Sequence, residues 1–493
     1  MISVPNLRQQ LNGSKWLLLI LLVTSLSACD LFKPVQSQTP TKPKDRELDD
    51  IQGSKVYNPQ TGEYETIDRP SAETMDTIIW KDIPINREQI ITSSTEAFIG
   101  NTGLEQPDVL DVDPDTKSQF LSAYNVSLVL PFLTDKFQST GAGLPPNSTW
   151  ALNFYGGAKM ALEDLEADNV KMNIAVVDNK ASEPATTQLL RSNPDLANAH
   201  LIIGPYRRET TRLVAAFAKE KDKVLVSPYT TAADAASNNP NYIQVNPTLQ
   251  SHCSAIMRHA RQRYRPDQVV LLCRDKPEEI ERLKYFQDEN LLISGFANAP
   301  KLREYIVAES SLDFNNSDVL SLIRLQDTTV FVVPSWSSET FIYSLLRKLD
   351  LSKRASNHIV VYGMPQWIEY ETIEYDYYER LNLHVSSSSF IDPLSPDIQF
   401  FKRRFFDRYG IVPNQEAYLG YDVTLFFGKM LKEYGTKFQY SLEKKPTQVL
   451  HTRFEFERVV VPSATVENPP PIRWENKYVN ILAFRDYQFR LAD

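Results

Sequence analysis

The 493-residue sequence predicts an α/β protein whose two lobes each contain a doubly wound parallel sheet. From residue 125 onward, short apolar runs alternate with segments whose apolar residues recur every three or four positions. The runs are four to six residues long, which indicates strands buried on both faces, and the intervening segments predict the covering helices. The alternation restarts after Asn246-Pro247, so we expect a second sheet there.

The elements of the first lobe, 119–246, follow a strand–helix order. We expect a strand over Val126–Leu130, a helix over 150–167, a strand over Asn173–Asp178, a helix over 184–192, a strand over Leu201–Ile203, a helix over 209–221 and a strand over Val224–Val226. Each strand ends at a proline, glycine or polar residue, as strands of a parallel sheet do where they enter a loop.

The second lobe, 247–365, repeats this order. We expect helices over 249–264, 277–290, 316–324 and 338–349, and strands over Gln268–Cys273, 304–308, Thr329–Val333 and His358–Tyr362. Residues 366–440 are expected to return mainly to the first lobe, and 441–493 to form strands mainly of the second. Several crossings of this kind make a hinge, and the cleft between the lobes is then lined by the carboxyl ends of both sheets, where open α/β sheets bind ligands.

The first 28 residues are expected to be a signal peptide. Arg8 and Lys15 precede an apolar stretch of about 13 residues, which is shorter than the ~20 residues that span a membrane. The stretch ends at Leu26-Ser27-Ala28-Cys29, which resembles the lipobox of bacterial lipoproteins. This resemblance implies acylation of Cys29, with palmitate-type chains, and anchoring to the inner or outer membrane on its periplasmic side. The alternative is an ordinary signal peptide that ends in a chance cysteine.

The segment after Cys29 is expected to hold the body away from the membrane. Residues 29–53 carry three prolines among polar residues, which favours a flexible tether. Residues 54–118 combine a hairpin, with strands over Lys55–Tyr57 and Glu63–Ile67, and an acidic linker.

The composition excludes several classes of function. The 53 basic and 62 acidic residues give a net charge of −9, which argues against nucleic-acid binding. The six histidines form no metal-binding pair at helical spacing, and the sequence contains neither a nucleophile elbow nor a complete phosphate loop. We therefore expect no metal, no cofactor and no enzyme activity. Cys253 and Cys273 form either a disulfide or two buried thiols.

Three segments resemble the type 1 periplasmic binding proteins, the family of leucine/isoleucine/valine-type solute receptors of ABC transporters. The first pairs Leu201-Ile202-Ile203-Gly204-Pro205 with Val224-Leu225-Val226-Ser227-Pro228-Tyr229-Thr230-Thr231. The second is Gly157-Ala158-Lys159-Met160-Ala161 in the first helix, and the third runs from Phe401 through Tyr409-Gly410 and Pro413 to Tyr421-Asp422. The resemblance covers roughly 120–490 and implies the periplasmic binding protein-like I fold.

The resemblance also implies where a ligand would bind, namely in the loops at strand ends. Thr231 matches the family's "S-P-x-x-T" threonine, whereas Arg207 stands where the family carries small hydroxyl residues. An arginine there can hold a carboxylate or phosphate, fill the pocket or point into solvent. The candidate ligand-binding residues are Tyr206, Arg207, Arg208, Tyr229, Thr230, Thr231, Trp336, Gln366 and Trp367.

Two functions fit these features. The first is a lipid-anchored solute-binding protein that closes on a small polar ligand, amino acid-like or another small anion, for ABC-type uptake or sensing. The second is a cell-envelope regulator, similar to the lipoprotein activators of peptidoglycan synthases, whose ligand-free lobes dock a protein partner.

Overall fold

The structure, a computed structural model, describes most of the chain after residue 117. The described residues are Lys55–Asn58, Glu63–Thr66, 118–137, 144–145, 148–231, 236, 238–296, 299–307, 319–460 and 471–492. The expected signal peptide, Cys29 and the tether of 29–53 lie outside them. The chain divides into two units, Met1–Leu104 and Glu105–Asp493.

The described part of the first unit is a two-stranded hairpin. Strand β1 (Lys55–Asn58) pairs antiparallel with β2 (Glu63–Thr66), so that Lys55 lies opposite Thr66. Both strands fall where the sequence predicts them.

Two seven-stranded sheets organise the second unit. The first contains β3 (Tyr124–Leu130), β4 (Met172–Asp178), β5 (Leu201–Ile203), β6 (Val224–Ser227), β7 (Tyr242–Gln244), β15 (Phe456–Val459) and β16 (Arg473–Asn476). The second contains β8 (Val269–Arg274), β9 (Arg303–Val307), β10 (Thr328–Val332), β11 (His358–Gly363), β12 (Leu383–Ser387), β17 (Asn480–Arg485) and β18 (Gln488–Leu491). β13 (Thr447–Gln448) and β14 (Arg453–Phe454) form a separate antiparallel pair.

Helices follow the strands as the sequence predicts. They are α1 (Thr149–Ala167), α2 (Glu183–Ser192), α3 (Pro194–Ala197), α4 (Arg208–Glu220), α5 (Leu249–Arg263), α6 (Pro277–Ser294), α7 (Glu339–Leu351), α8 (Tyr375–Arg380), α9 (Pro396–Tyr409) and α10 (Gln415–Tyr434). Short 3-10 helices cover Thr134–Lys136, Pro266–Gln268, Val319–Leu322, Pro365–Glu369 and Gly435–Lys444. In the described part of the helix expected over 316–324, only the 3-10 turn Val319–Leu322 is present.

The strand order confirms the two-lobed α/β fold. The first sheet runs β15-β16-β7-β6-β5-β3-β4 and the second β18-β17-β12-β11-β10-β8-β9. Central strands are parallel, whereas β15, β17 and β18 pair antiparallel at one edge of each sheet. The sheets are therefore mixed rather than purely parallel, because the C-terminal strands join them as hairpin partners.

The chain crosses between the lobes at 245–248, 388–395 and 477–479. The first crossing lies at the expected Asn246-Pro247. The return was expected after 365, but β12 still belongs to the second sheet, where it pairs parallel with β11. Residues 441–493 were expected mainly in the second lobe, but they divide: β15 and β16 extend the first sheet, and β17 and β18 extend the second. Short strands with similar composition give no signal for the sheet that they join.

Helices α1 and α10 pack closely in the core of the first lobe because a glycine of each lies against the backbone of the other. A Cβ at Gly157 would lie 1.8 Å from the carbonyl oxygen of Ala417, and a Cβ at Gly420 would lie 2.0 Å from that of Phe154. Phe154, Phe427 and Leu431 pack in the same buried cluster. The close approach of these helices explains the glycine at position 157, the first residue of the α1 segment that resembles the family.

Replacing Gly420 with alanine should destabilise the protein, because the new methyl group meets backbone that cannot rotate away. We expect the free energy of unfolding to fall by about 1–3 kcal/mol, measured by urea denaturation. The matched control is Lys429→Ala on the exposed side of α10, which should change stability by less than about 0.5 kcal/mol. Equal stability of Gly420→Ala and the control would refute the close packing of the two helices.

Candidate functional site

Two of the candidate residues, Tyr206 and Tyr229, lie together at the edge of the first sheet. Tyr206 follows β5 and Tyr229 follows β6, and these neighbouring strands are parallel. The two ring centroids are 4.3 Å apart at an interplanar angle of 39°. The carboxyl ends of adjacent parallel strands therefore bring the two rings into contact.

A third ring, from Trp150 in the first turn of α1, completes the cluster. Its centroid is 4.5 Å from that of Tyr206 and 5.6 Å from that of Tyr229. Behind it, Phe154 stacks at 5.3 Å, which connects the cluster to the core. We call Trp150, Tyr206 and Tyr229 the aromatic platform. The sequence analysis missed Trp150, although its place at the start of the first helix puts it near the carboxyl edge of the sheet.

Tyr229 is the most open member of the platform and is 37 % exposed. Its carbonyl accepts a hydrogen bond of 2.9 Å from the Asn246 amide, which ties the loop to the first crossing. Partial burial, a hydrogen bond to Tyr206, and the charges of Glu416 and Glu369 raise the pKa of the Tyr229 hydroxyl. Glu416 lies at the start of α10 in the first lobe, and Glu369 ends the 3-10 helix after β11 in the second.

The neighbouring candidates differ in exposure. Arg207 and Arg208 are exposed, and the Arg207 carbonyl accepts hydrogen bonds from the hydroxyls of Thr210 and Thr211 at the start of α4. Thr230 is buried, whereas Thr231 is exposed. Because both arginine side chains are exposed, neither fills the space between the lobes.

At the carboxyl edge of the second sheet, the buried polar and charged side chains pair with one another. Glu279, which is fully buried, accepts hydrogen bonds from the Arg274 backbone amide at 3.0 Å and from its Nε at 2.9 Å, and another from the Ser335 hydroxyl. Burial opposes ionisation of Glu279, but these partners hold its pKa below the ordinary value. The polar groups of this network thus satisfy one another.

Two of the second-lobe candidates are committed to packing. The Arg282 guanidinium lies 3.4 Å from the centre of the Trp336 ring, and Tyr370 donates a hydrogen bond to the Trp336 carbonyl. Trp367 is fully buried and donates its indole N–H to the Ser335 carbonyl at 2.8 Å, while its ring occupies the space beside Gly363. The expectation that Trp367 binds the ligand is therefore replaced by a core position, because the turn after β11 folds the ring inward. Gln366, its neighbour, is exposed.

A buried carboxylate joins the lobes where the first and third crossings meet. Glu475, at the end of β16, accepts a 2.5 Å hydrogen bond from the Thr248 hydroxyl and a 3.0 Å bond from that of Ser251, at the N-terminus of α5. Lys477 and Arg473 also contact it, at 2.9 and 3.3 Å. Burial opposes its ionisation, but these groups keep its pKa below the ordinary value. The sequence analysis missed this residue because its partners in the other lobe, Thr248 and Ser251, lie more than 220 positions away.

A small cavity of about 40 Å³ lies at the first and second crossings. Tyr229, Asn246, Ser389 and Gln415 are among its lining residues, and Gln415 donates a 2.6 Å hydrogen bond to the Ser389 hydroxyl. The cavity has room for one or two water molecules. A larger groove of about 580 Å³ lies elsewhere on the first lobe, between α2 and α4, and contains none of the candidate residues.

Residues 155–453 match the family described as the receptor family ligand binding region. The protein belongs to this family. The match covers more than half of the chain and includes strands of both sheets, and it confirms the resemblance to type 1 periplasmic binding proteins. The protein is accordingly a binding protein of this family rather than an enzyme. No curated relative matches the sequence.

Solved structures share the fold of this family member. A branched-chain amino acid ABC transporter protein from Rhodospirillum rubrum aligns with a TM-score of 0.54 at 14 % identity, over 75 % of this chain and 100 % of its own. An ABC transporter substrate-binding protein from Desulfitobacterium hafniense aligns at 0.50 with 13 % identity, over 75 % and 100 %. A branched-chain amino acid ABC transporter periplasmic ligand-binding protein from Burkholderia xenovorans aligns at 0.50 with 11 % identity, over 75 % and 94 %.

The remaining chemistry of this ligand-binding region is structural. Cys253 and Cys273 are free thiols buried in the second lobe, and burial raises the pKa of each to about 12. Within the described ranges, no three His, Cys, Asp or Glu side chains are grouped to hold a metal ion. A helix long and apolar enough to cross a membrane is absent from the same part of the chain.

Two buried histidines make the stability of the second lobe sensitive to pH. His252 contacts the Ser386 hydroxyl at 3.0 Å, and His384 stacks on Tyr362 with a centroid distance of 4.8 Å. Burial lowers the pKa of each to about 4. Each ring is therefore neutral in the folded protein at pH 5, whereas it is largely protonated in the unfolded chain.

Acidification from pH 6.5 to 5 should lower the free energy of unfolding, because the unfolded chain binds protons at these histidines and the folded chain does not. Each histidine contributes up to about 1.4 kcal/mol per pH unit, and the loss ends near pH 4, where the folded rings titrate. Urea denaturation at pH 7, 6 and 5 measures how the free energy of unfolding changes with pH. His384→Gln should reduce the number of protons taken up on unfolding by about one. A stability that is constant between pH 6.5 and 5 would contradict the burial of neutral rings.

Proposed function

We propose that the protein is an exported, lipid-anchored solute-binding protein whose two lobes close on a small polar ligand. It then delivers the ligand to an ABC-type permease or reports its presence. Family membership and the two-lobed fold support ligand binding, and the lipobox-like Leu26–Cys29 segment supports the anchor.

The observation that carries the proposal is the contrast between the two facing sheet edges. In the second lobe, Arg274, Glu279 and Ser335 bind one another. In the first lobe, the buried Ser227 hydroxyl and Trp150 indole N–H have no hydrogen-bond partner among the described residues. Unpaired buried polar groups cost free energy, so a ligand or water that pairs with them is favoured.

We assign the ligand contacts of the first lobe to the aromatic platform, with Thr230 and Thr231 on the same loop. The second lobe would contribute Gln366 and the exposed edge of Trp336 when the lobes approach. Arg207 and Arg208 would lie at the entrance, because their side chains are exposed at the start of α4. A ligand that contacts both lobes favours the closed state by its greater affinity for that state.

A ligand of this kind should compact the protein and stabilise it. We expect a smaller radius of gyration in small-angle X-ray scattering and a higher Tm, since a ligand at 100 times its Kd adds about 2.7 kcal/mol of stability. Tyr229→Ala should weaken binding at least tenfold, while Tyr375→Ala, an exposed tyrosine of α8, should leave it unchanged.

A screen of amino acids, amines, organic acids, sugars and peptides supplies the ligands for this measurement. A protein that binds none of them and never compacts would contradict the proposal. If none of these compounds binds and cross-linking in cells captures one envelope protein, the docking function would be favoured instead.

The anchor is tested separately from the cleft. Cys29→Ser should move the protein from the membrane fraction to the periplasmic fraction and abolish incorporation of labelled palmitate, because it removes the thiol that is acylated. Cys253→Ala retains the lipobox and should remain in the membrane. Unchanged fractionation of the Cys29→Ser variant would refute the lipid anchor.

A further inference from the structure

Helix α9 (Pro396–Tyr409) exposes large apolar side chains on the face that is turned away from the first lobe. Its other face is fully used, because Ile398, Phe401 and Phe405 pack in a buried cluster with residues of α1 and α10. The large apolar side chains of 394–412 that remain outside are each 51–80 % exposed, and they are Leu394, Phe400, Phe406, Ile411 and Val412. Single exposed apolar residues are ordinary, but a group of this kind marks an interaction surface.

The outer face of α9 has a regular order of side chains. Residues three apart are neighbours on a helix surface, and at this spacing the sequence reads apolar, acidic, apolar, basic, apolar. The five residues are all exposed, and we call them the outer stripe: Leu394, Asp397, Phe400, Arg403 and Phe406. The stripe is symmetric about Phe400 in its apolar residues and opposite in charge on the two sides.

The charges of the outer stripe are not used within the chain. The neighbouring arginines bind α1, since Arg404 donates two 2.9 Å hydrogen bonds to Asp164 and Arg408 pairs with Glu163. In the part of the chain that the structure describes, neither Asp397 nor Arg403 has an ion-pair or hydrogen-bond partner.

Asp397 and Arg403 are also not placed to pair with each other. They are six residues apart, or about 9 Å along the helix axis, whereas neighbours on a helix surface are three or four residues apart. Both charges are therefore available to a second molecule.

We propose that the outer stripe of α9 is the interface of a two-fold symmetric homodimer. In such an interface, residue i of one copy contacts residue j of the other, and the reverse contact is made as well. If the two stripes lie antiparallel with the two-fold axis at Phe400, the two Phe400 rings meet. Asp397 then pairs with the partner's Arg403, and Leu394 contacts the partner's Phe406. Each of these contacts occurs twice.

A second copy of this chain fits the stripe better than a membrane does. Lys402 and Arg403 on the exposed side of α9 are balanced by Asp397 and Asp407, so this surface carries no excess positive charge to attract anionic lipid. The mirror-like order of the stripe is what self-pairing requires, because each charge must meet its opposite in an identical surface.

The apolar part of the surface continues beyond the stripe. The exposed Ile411 and Val412 follow α9 directly and enlarge the apolar area. A stable interface buries about 1,200–2,000 Å² in total, so we expect these two side chains at its edge.

The first test reverses the charges of the stripe. The mass of the detergent-solubilised full chain, measured by analytical ultracentrifugation, should be that of a dimer. Asp397→Arg and Arg403→Asp each place like charges opposite one another and should weaken dimerisation at least about tenfold. The double variant Asp397→Arg/Arg403→Asp restores opposite charges and should dimerise again. Circular dichroism and Tm of all variants should match those of the unaltered chain, because both side chains are exposed.

A mixture of the two single variants gives a further readout. Each variant alone should be monomeric, but the two together should form a heterodimer, because acidic positions of one chain then meet basic positions of the other. Within one chain the two positions are not neighbours, so recovery in the mixture reports contact between chains.

The second test places a thiol at the proposed axis. Phe400→Cys should give a covalent dimer in cells treated with copper phenanthroline, seen by non-reducing electrophoresis. Phe296→Cys, at a similarly exposed phenylalanine of the second lobe, should not. Cys253 and Cys273 are buried and should give no cross-link between chains.

Each contrary outcome overturns the proposal. A chain that is monomeric and gives no cross-link at Phe400→Cys would exclude the dimer. A dimer that neither charge reversal weakens would place the interface elsewhere. Cross-linking of Phe400→Cys to a different protein, or sedimentation of the chain with anionic vesicles that Phe400→Ala abolishes, would assign the stripe to that partner instead. None of these results depends on whether the cleft binds a solute.

Discussion

The two-lobed structure depends on a buried carboxylate at the point where the chain passes between its sheets. Glu475 lies in a strand of the first sheet, yet it accepts hydrogen bonds from Thr248 and Ser251 at the N-terminus of a second-lobe helix. The free N–H groups and the dipole at a helix N-terminus favour a negative charge there. A carboxylate that is 1 % exposed is stable only with such partners, and Lys477 and Arg473 complete the set. The two lobes are thus held together at the crossings. Movement of one lobe relative to the other is then confined to the parts distant from the crossings.

The facing edges of the two sheets are built differently, and this difference determines what the cleft can recognise. In the second lobe, buried charges are paired locally: Glu279 with Arg274, and Arg282 with the carbonyl of Pro334 and the Trp336 ring. That edge has few polar groups left for a ligand. The first lobe presents ring faces and two unpaired polar atoms instead. Under the proposed solute-binding function, this arrangement favours ligand contact in the first lobe, followed by closure of the second lobe.

The sequence by itself determined the alternation of strands and helices, the restart at Asn246-Pro247 and the position of Tyr206 and Tyr229 after the ends of two strands. These features depend on local apolar patterns and on the rule that neighbouring parallel strands end at one edge. Only the tertiary structure decided that β12 stays in the second sheet, that the C-terminal strands divide between the sheets, that Trp367 is buried and that Trp150 joins the platform. Each of these outcomes depends on contacts between residues distant in the chain, and residue type alone does not specify which distant partner a strand, ring or carboxylate will meet.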